Sequence, residues 1–246
     1  GGSFTLGSKA TAGSSNATLN LTGGTLTSNV DIVAGAGTTN STITLNGGTL
    51  DMTNHNIGGA TVVDNLNLRS GTLKNVAQIN NGAAITKTTA GTLTIAGSNG
   101  WTGDTNINQG TLLLADLVNM ANSDVTVAAD ATLDIAGSSV GTVATGALLF
   151  ETDSILAADL VLTGSPTQRL DRINLSGNLD ITAGALLDLN VTGSDTLVSG
   201  TKLALMDYEG FAWNDGIFLG YSNNSIHTIG GNDWWLRYDD TRDSIS

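Results

Sequence analysis

Cysteine is absent from the chain. That excludes disulfides, thiolate metal sites and cysteine nucleophiles, and it leaves the compartment open. Charge is also scarce. Asp, Glu, Lys and Arg make up 13% of the residues, about half the usual share of ~25%. A charge-driven disordered tail needs high charge and low hydrophobicity, so this chain is not one. Aromatic residues are 4% against 40% apolar residues overall, so the core must be thin and aliphatic. Proline occurs once, at Pro166. No stretch approaches the ~20 apolar residues of a membrane-spanning helix. Signal peptide and initiator methionine are both missing. The chain opens Gly1-Gly2-Ser3-Phe4, which reads like the middle of a repeat, and it is expected to be a mature fragment or an excised piece of a longer protein.

What remains is rich in glycine, with 32 copies, and in Ser, Thr and Asn. That mixture suits strands and turns rather than helices. The net charge is −13. Such a surface repels nucleic acid and anionic headgroups, so neither is expected as a partner.

The triplet Gly-Thr-Leu recurs at Gly24-Thr25-Leu26, Gly48-Thr49-Leu50, Gly71-Thr72-Leu73, Gly91-Thr92-Leu93 and Gly110-Thr111-Leu112. The glycines are 24, 23, 20 and 19 residues apart, and Ala131-Thr132-Leu133 follows after 21 more. Periods of this size mark solenoids. Within each unit apolar residues alternate with polar ones: Ile43, Leu45, Leu50 and Met52; Val125, Val127, Leu133 and Ile135; Leu187, Leu189 and Val191. Alternation means half-buried strands. No window of helical length carries a sustained apolar stripe.

The predicted fold is therefore all-β: a β-helix, or β-solenoid, expected to be right-handed, with two or three short strands per coil. Repeats of about 19–24 residues would fill 1–200. At roughly 21 residues per coil that is about ten coils, each spaced by the ~4.8 Å between strands. The leucine is the inward residue and the threonine faces out. The glycine takes a left-handed or crowded corner where a side chain would clash. A phosphate-cradle role for these glycines is disfavoured, because no lysine and no helix follow them at the required spacing.

The pattern changes near residue 200. Of 11 aromatic residues, eight lie beyond it: Tyr208, Phe211, Trp213, Phe218, Tyr221, Trp234, Trp235 and Tyr238. A solenoid end exposes unpaired backbone and apolar edges that must be covered. Residues 201–246 are therefore expected to form an aromatic-rich β cap. At the other end, Phe4 and Leu6 are expected to meet further coils of the same longer protein or another copy of the chain. Stacking of copies would be head to tail and open-ended.

Residues 86–112 carry a fuller motif: Lys87, Gly91-Thr92-Leu93, Gly97-Ser98-Asn99, Trp101-Thr102-Gly103, then Thr105-Asn106-Ile107-Asn108-Gln109-Gly110-Thr111-Leu112. This resembles the autotransporter-associated β-strand repeat, also called the passenger-associated transport repeat. Trp101 stands where Tyr is commoner, and Gly100 where Thr is commoner. The stretch from Phe218 to Tyr238 is similar to the closing segment of large exported proteins built from such repeats. The resemblance implies secretion to the cell surface and no catalytic residues.

Site chemistry is sparse. His55 and His227 stand apart, with no metal-ligand spacing around them. Asp233, Asp239, Asp240 and Asp243 could bind calcium, or could supply the paired carboxylates of a polysaccharide-degrading β-helix. With Arg237 and Arg242 interleaved, a solvated turn is the simpler reading. Trp213, Trp234 and Trp235 admit sugar stacking, against a plain hydrophobic cap. At period 2, Trp234 and Trp235 must face opposite sides. The expected function is an exported, noncatalytic structural module with no cofactor. A glycan-binding adhesin and a polysaccharide-degrading enzyme are the alternatives.

Overall fold

The computed structural model describes residues 2–8, 14–164, 166–208, 210–238 and 244–245. Among these the regular elements are strands, with no helix. The chain is a β-solenoid of stacked parallel strands, as its alternation predicts.

Each full coil has three faces, and the strand Thr38–Ile57 shows how they arise. Twenty residues of straight strand would reach about 65 Å. Instead the ladder shifts register between Leu45 and Thr49 and again between Asp51 and His55. Gly47 (φ 118°) turns the first corner, and Thr53 and Asn54 (φ 45° and 65°) turn the second. Ile43 and Leu45 point inward on the first face, Leu50 on the second and Ile57 on the third, all fully buried.

Stacking then repeats these positions. Leu19 lies beside Ile43, and Ile43 beside Leu66, on the first face. Ile32, Ile57 and Ile79 line up on the third. Further along, the third face continues through Met120, Thr145 and Leu175. Like stacks on like outside as well. Thr25, Thr49, Thr72 and Thr94 form one outward row. Asn65 Nδ2 donates to Asn40 Oδ1 at 2.8 Å, and Asn75 Nδ2 to Asp51 Oδ1 at 2.8 Å.

The second face gives the coil lengths. Leu26 pairs with Leu50, Leu50 with Leu73, Leu73 with Ile95 and Ile95 with Leu114, in steps of 24, 23, 22 and 19 residues. Leu114 pairs with Ile135, and the neighbouring row runs from Leu133 to Leu156 to Leu187, in steps of 21, 23 and 31. The first described coil, from Phe4 to Ile32, takes 28. There are thus fewer coils than the ten expected from a uniform 21-residue period, because the end coils are longer than the middle ones. A parallel pairing of Met206–Asp207 with Ile173–Asn174 carries the third face past residue 200.

Candidate functional site

The five repeat glycines occupy corners of two physical kinds. Gly71 (φ 102°) is left-handed, and a Cβ there would sit 2.3 Å from the Gly48 carbonyl oxygen of the coil below. Gly110 (φ 71°) is likewise left-handed, with Thr89 O 2.4 Å from such a Cβ. Gly24 is left-handed in open space, whereas Gly48 and Gly91 are crowded without being left-handed. The leucines behind them, Leu50, Leu73, Leu93 and Leu112, are buried, and Leu26 is half-buried at the edge. The triplets do not all stack on one another. Gly71 lies opposite Leu93, so Leu73 meets Ile95.

Lys87 fills an inward position, buried between Ile85 and the next corner. Its Nζ donates to the carbonyl oxygens of Thr89 and Gln109, the latter at 3.2 Å. Desolvation holds its pKa below the usual lysine value. These bonds satisfy carbonyls exactly where the ladder shifts register, between Lys87 and Thr92. The motif lysine thus holds a corner.

Three carboxylates that sequence reading missed come together on the outer side of the second face. Past Asp159 the chain folds back on itself: Val161 N donates to Arg169 O at 2.7 Å, and Asp171 N to Asp159 O at 3.0 Å. This buries Asp159 and Asp171. Asp171 accepts the backbone N–H of Gly141 at 2.7 Å and of Asp159 at 2.6 Å. Burial, with Asp159 and Asp134 nearby, pushes its pKa up to about 7. Asp134 is also shifted upward, by burial and by Asp159. Asp159 Oδ1 accepts from Asn190 Nδ2 at 2.5 Å, while its Oδ2 is buried without a partner. The signal for this fold-back was the turn chemistry at Gly164 and Pro166. Among the described residues no group of three or more His, Asp or Glu side chains has metal-holding geometry.

The aromatic residues near the C-terminus divide sharply. Tyr208, Phe218 and Tyr238 are buried. Phe218 meets Phe150 edge to face at 5.4 Å, and Trp213 stacks on Tyr238 at 5.6 Å. Tyr208 Oη donates to Tyr238 O, and Tyr238 Oη donates to Tyr221 O at 3.0 Å while accepting from Phe218 N at 3.1 Å. Leu179 N bonds Ala212 O at 2.9 Å, and Leu219 N bonds Ala185 O at 2.7 Å, so this segment lies along the last coil. Phe211 is exposed.

Beyond it, Ser225–Ile229 and Asn232–Leu236 form an antiparallel hairpin. Trp234 is half-buried on the inner side and Trp235 is 63% exposed on the outer, as the period requires. His227 faces inward opposite Trp234 and packs on Tyr221 at 5.0 Å. Its Nε2 lies 2.6 Å from Ser225 Oγ. Ser225 Oγ also donates to Ser222 O. His55 lies at a distant corner, where Nδ1 meets the Met52 and Thr53 carbonyls at 3.1 Å. Between hairpin and last coil is a cavity of about 440 Å³. Of the four aspartates on which the calcium and polysaccharide-cleaving readings rested, Asp239, Asp240 and Asp243 lie outside the described residues, as does Arg242, while Asp233 Oδ1 accepts the Thr228 hydroxyl at 2.6 Å.

No family model, no curated protein and no solved structure matches the chain.

Proposed function

We propose that the chain is a noncatalytic structural module: a stalk, coat or fibre segment of an exported surface protein. The observation that carries this reading is the continuous, largely aliphatic core, which runs from Leu6 to Met206 with Trp101 and Phe150 within it. A core of that kind makes a stiff rod whose stability is a sum over neighbouring coils. Its outward Asn side chains donate to Asn and Thr side chains of the neighbouring coil, which suits a scaffold better than a reaction centre. Export to the surface rests on the resemblance of residues 86–112 to the autotransporter-associated repeat.

In this reading the two ends have different roles. Phe218, Trp213, Tyr208 and Tyr238 cap the last coil. At the first, Phe4 lies in the inward row with Ile32 yet is 43% exposed. That surface is completed by an adjoining coil of a longer protein or by another copy. Electron microscopy of the native material tests this. Fibres or extended rods of several nanometres support it, and compact separate particles count against it.

A glycan-binding role is the second reading, favoured by one observation. Trp235 pairs across the hairpin with Ile226, which is 71% exposed, and Arg237 lies 5.8 Å from the Trp235 ring. A glycan screen in which binding is lost in Trp235→Ala would establish it.

A further inference from the structure

Two of the three faces are sealed where the solenoid ends. On the first, Leu179 and Ile181 are buried, and Ala212 and Asn214 both bond the Leu179 backbone. On the third, Met206 is buried and pairs with Ile245. The second face differs. Leu156 and Ala158 are buried, yet Leu187 and Leu189, which stack on them, are only half-buried. Against these two leucines lies the cavity of about 440 Å³.

The hairpin across this space is fastened at both ends. At its tip Gly230 sits so close to Leu162 that a Cβ would lie 2.1 Å from a Leu162 methyl. At its base Tyr238 is buried and stacked on Trp213. Between these points Trp234 and Leu236 line the gap without filling it. Packed interiors leave few voids larger than a water molecule. This one falls within the range of about 300–1,000 Å³ of small-molecule sites.

We propose that the cavity binds an uncharged aliphatic molecule whose polar end is no larger than a hydroxyl group. The inference is independent of the structural role proposed above.

The lining is mixed, and its polar groups select the ligand by what they already hold. Trp234 Nε1 donates to Ile229 O at 3.2 Å, and Thr201 Oγ1 to Val198 O at 2.7 Å. His227 Nε2 lies 2.6 Å from Ser225 Oγ, and Asp233 Oδ1 accepts the Thr228 hydroxyl. Lys202 and Arg237, also in the lining, have interactions of their own. A charged ligand must therefore disrupt such a pairing or enter unpaired, and either is costly. A sugar would leave many hydroxyls without partners. Thr201 Oγ1 can still accept after giving its proton, which serves one hydroxyl. An aliphatic chain loses no hydrogen bond on entering. It covers Leu160, Leu187, Leu189, Leu203 and Leu236, and its affinity rises about fourfold with each methylene buried.

The test is calorimetric titration of the whole chain with 1-octanol, 1-decanol and 1-dodecanol, each below its solubility limit. Dodecanoate, dodecylammonium and maltose are titrated beside them. Saturable one-to-one binding of the alcohols is expected, tightening from octanol to decanol. Both ions should bind at least tenfold more weakly than dodecanol, and maltose not at all. Methyl NMR locates the site. Decanol should shift Leu187, Leu189 and Leu236 and leave Leu50 and Leu73, buried in distant coils, unmoved. Leu236→Trp narrows the cavity from the hairpin side and should weaken decanol at least tenfold. Should that variant fail to fold, the methyl shifts of the unaltered chain stand as the test. No saturable heat, an ion binding as tightly as dodecanol, binding of maltose, or shifts confined to Ile226 on the outer side of the hairpin would each overturn the proposal. None of these outcomes bears on whether the chain builds rods.

Discussion

Asp171 and Asp159 hold each other through the backbone in both directions. The Asp171 carboxylate accepts the Asp159 N–H at 2.6 Å, and the Asp159 carbonyl accepts the Asp171 N–H at 3.0 Å. The pair is buried beside Asp134, and burial pushes Asp171 from 3.8 up to about 7. Between those values the folded chain keeps a proton that the unfolded chain releases. The contribution to stability is therefore full below 3.8 and is lost as pH rises through about 7. Asp64 acts in the opposite sense. The Ser41 N–H and hydroxyl hold it low, so its contribution is present above 3.8 and lost as pH falls through its folded value. Urea denaturation at pH 5 and pH 8 should find the chain more stable at pH 5. In Asp171→Asn that difference should shrink. The variant should also lose about 1–3 kcal/mol at pH 5, because an amide NH₂ must face one of the two N–H donors. An unchanged pH difference in the variant would remove Asp171 as its source.

Gly24 and Gly110 separate the two reasons for a glycine corner. Their φ values are nearly equal, 69° and 71°, yet a Cβ at Gly24 meets nothing within 4 Å while one at Gly110 lies 2.4 Å from Thr89 O. Gly24→Ala should cost only the left-handed penalty, about 1–2 kcal/mol. Gly110→Ala should cost about 1–3 kcal/mol more, because the backbone of the neighbouring coil must shift. Chemical denaturation of both variants gives the comparison. Equal losses would mean that the crowding at Gly110 relaxes freely.

The C-terminal aromatics call for an equally unequal pair. Phe218 is wholly buried against Phe150, so Phe218→Ala should cost about 3–5 kcal/mol. Trp235 is exposed, and Trp235→Ala should stay within about 0.5 kcal/mol. Thermal unfolding of the two variants checks both. A large loss at Trp235 would place it in a packed interface that the isolated chain does not reveal.

Which side chains face inward was legible in sequence because the side-chain period of a strand is two. Leu73 stacks on Ile95 rather than Leu93, a slip of two residues from the triplet alignment, and such a slip leaves every leucine facing inward. Coil number was less legible, because loops between Leu156 and Leu187 lengthen a coil without disturbing the alternation. The buried carboxylates were hidden for a related reason. Asp134 and Asp159 occupy outward positions of their strands, and only the fold-back that brings Asp171 over them makes that outer surface an interior. The aromatics beyond residue 200 crowd the end of the chain where the cavity lies. That crowding could not show the cavity, which depends on how far the hairpin stands from Leu187 and Leu189.

A solenoid core predicts that damage stays local. Leu73 stacks between Leu50 and Ile95, and it is fully buried. Leu73→Ala should cost about 2–5 kcal/mol. In a globular core that loss would be shared by the whole domain, whereas in a stack of coils it falls on the two neighbouring interfaces. Amide hydrogen exchange should therefore accelerate most in Thr38–Ile57 and Ile85–Ala96, the strands on either side. Ile155–Val161, several coils away, should keep the exchange rates of the unaltered chain. Acceleration of equal size at Ile155–Val161 would mean instead that the coils open only together. The rod would then be one cooperative unit, whose stability is no longer a sum over neighbouring interfaces.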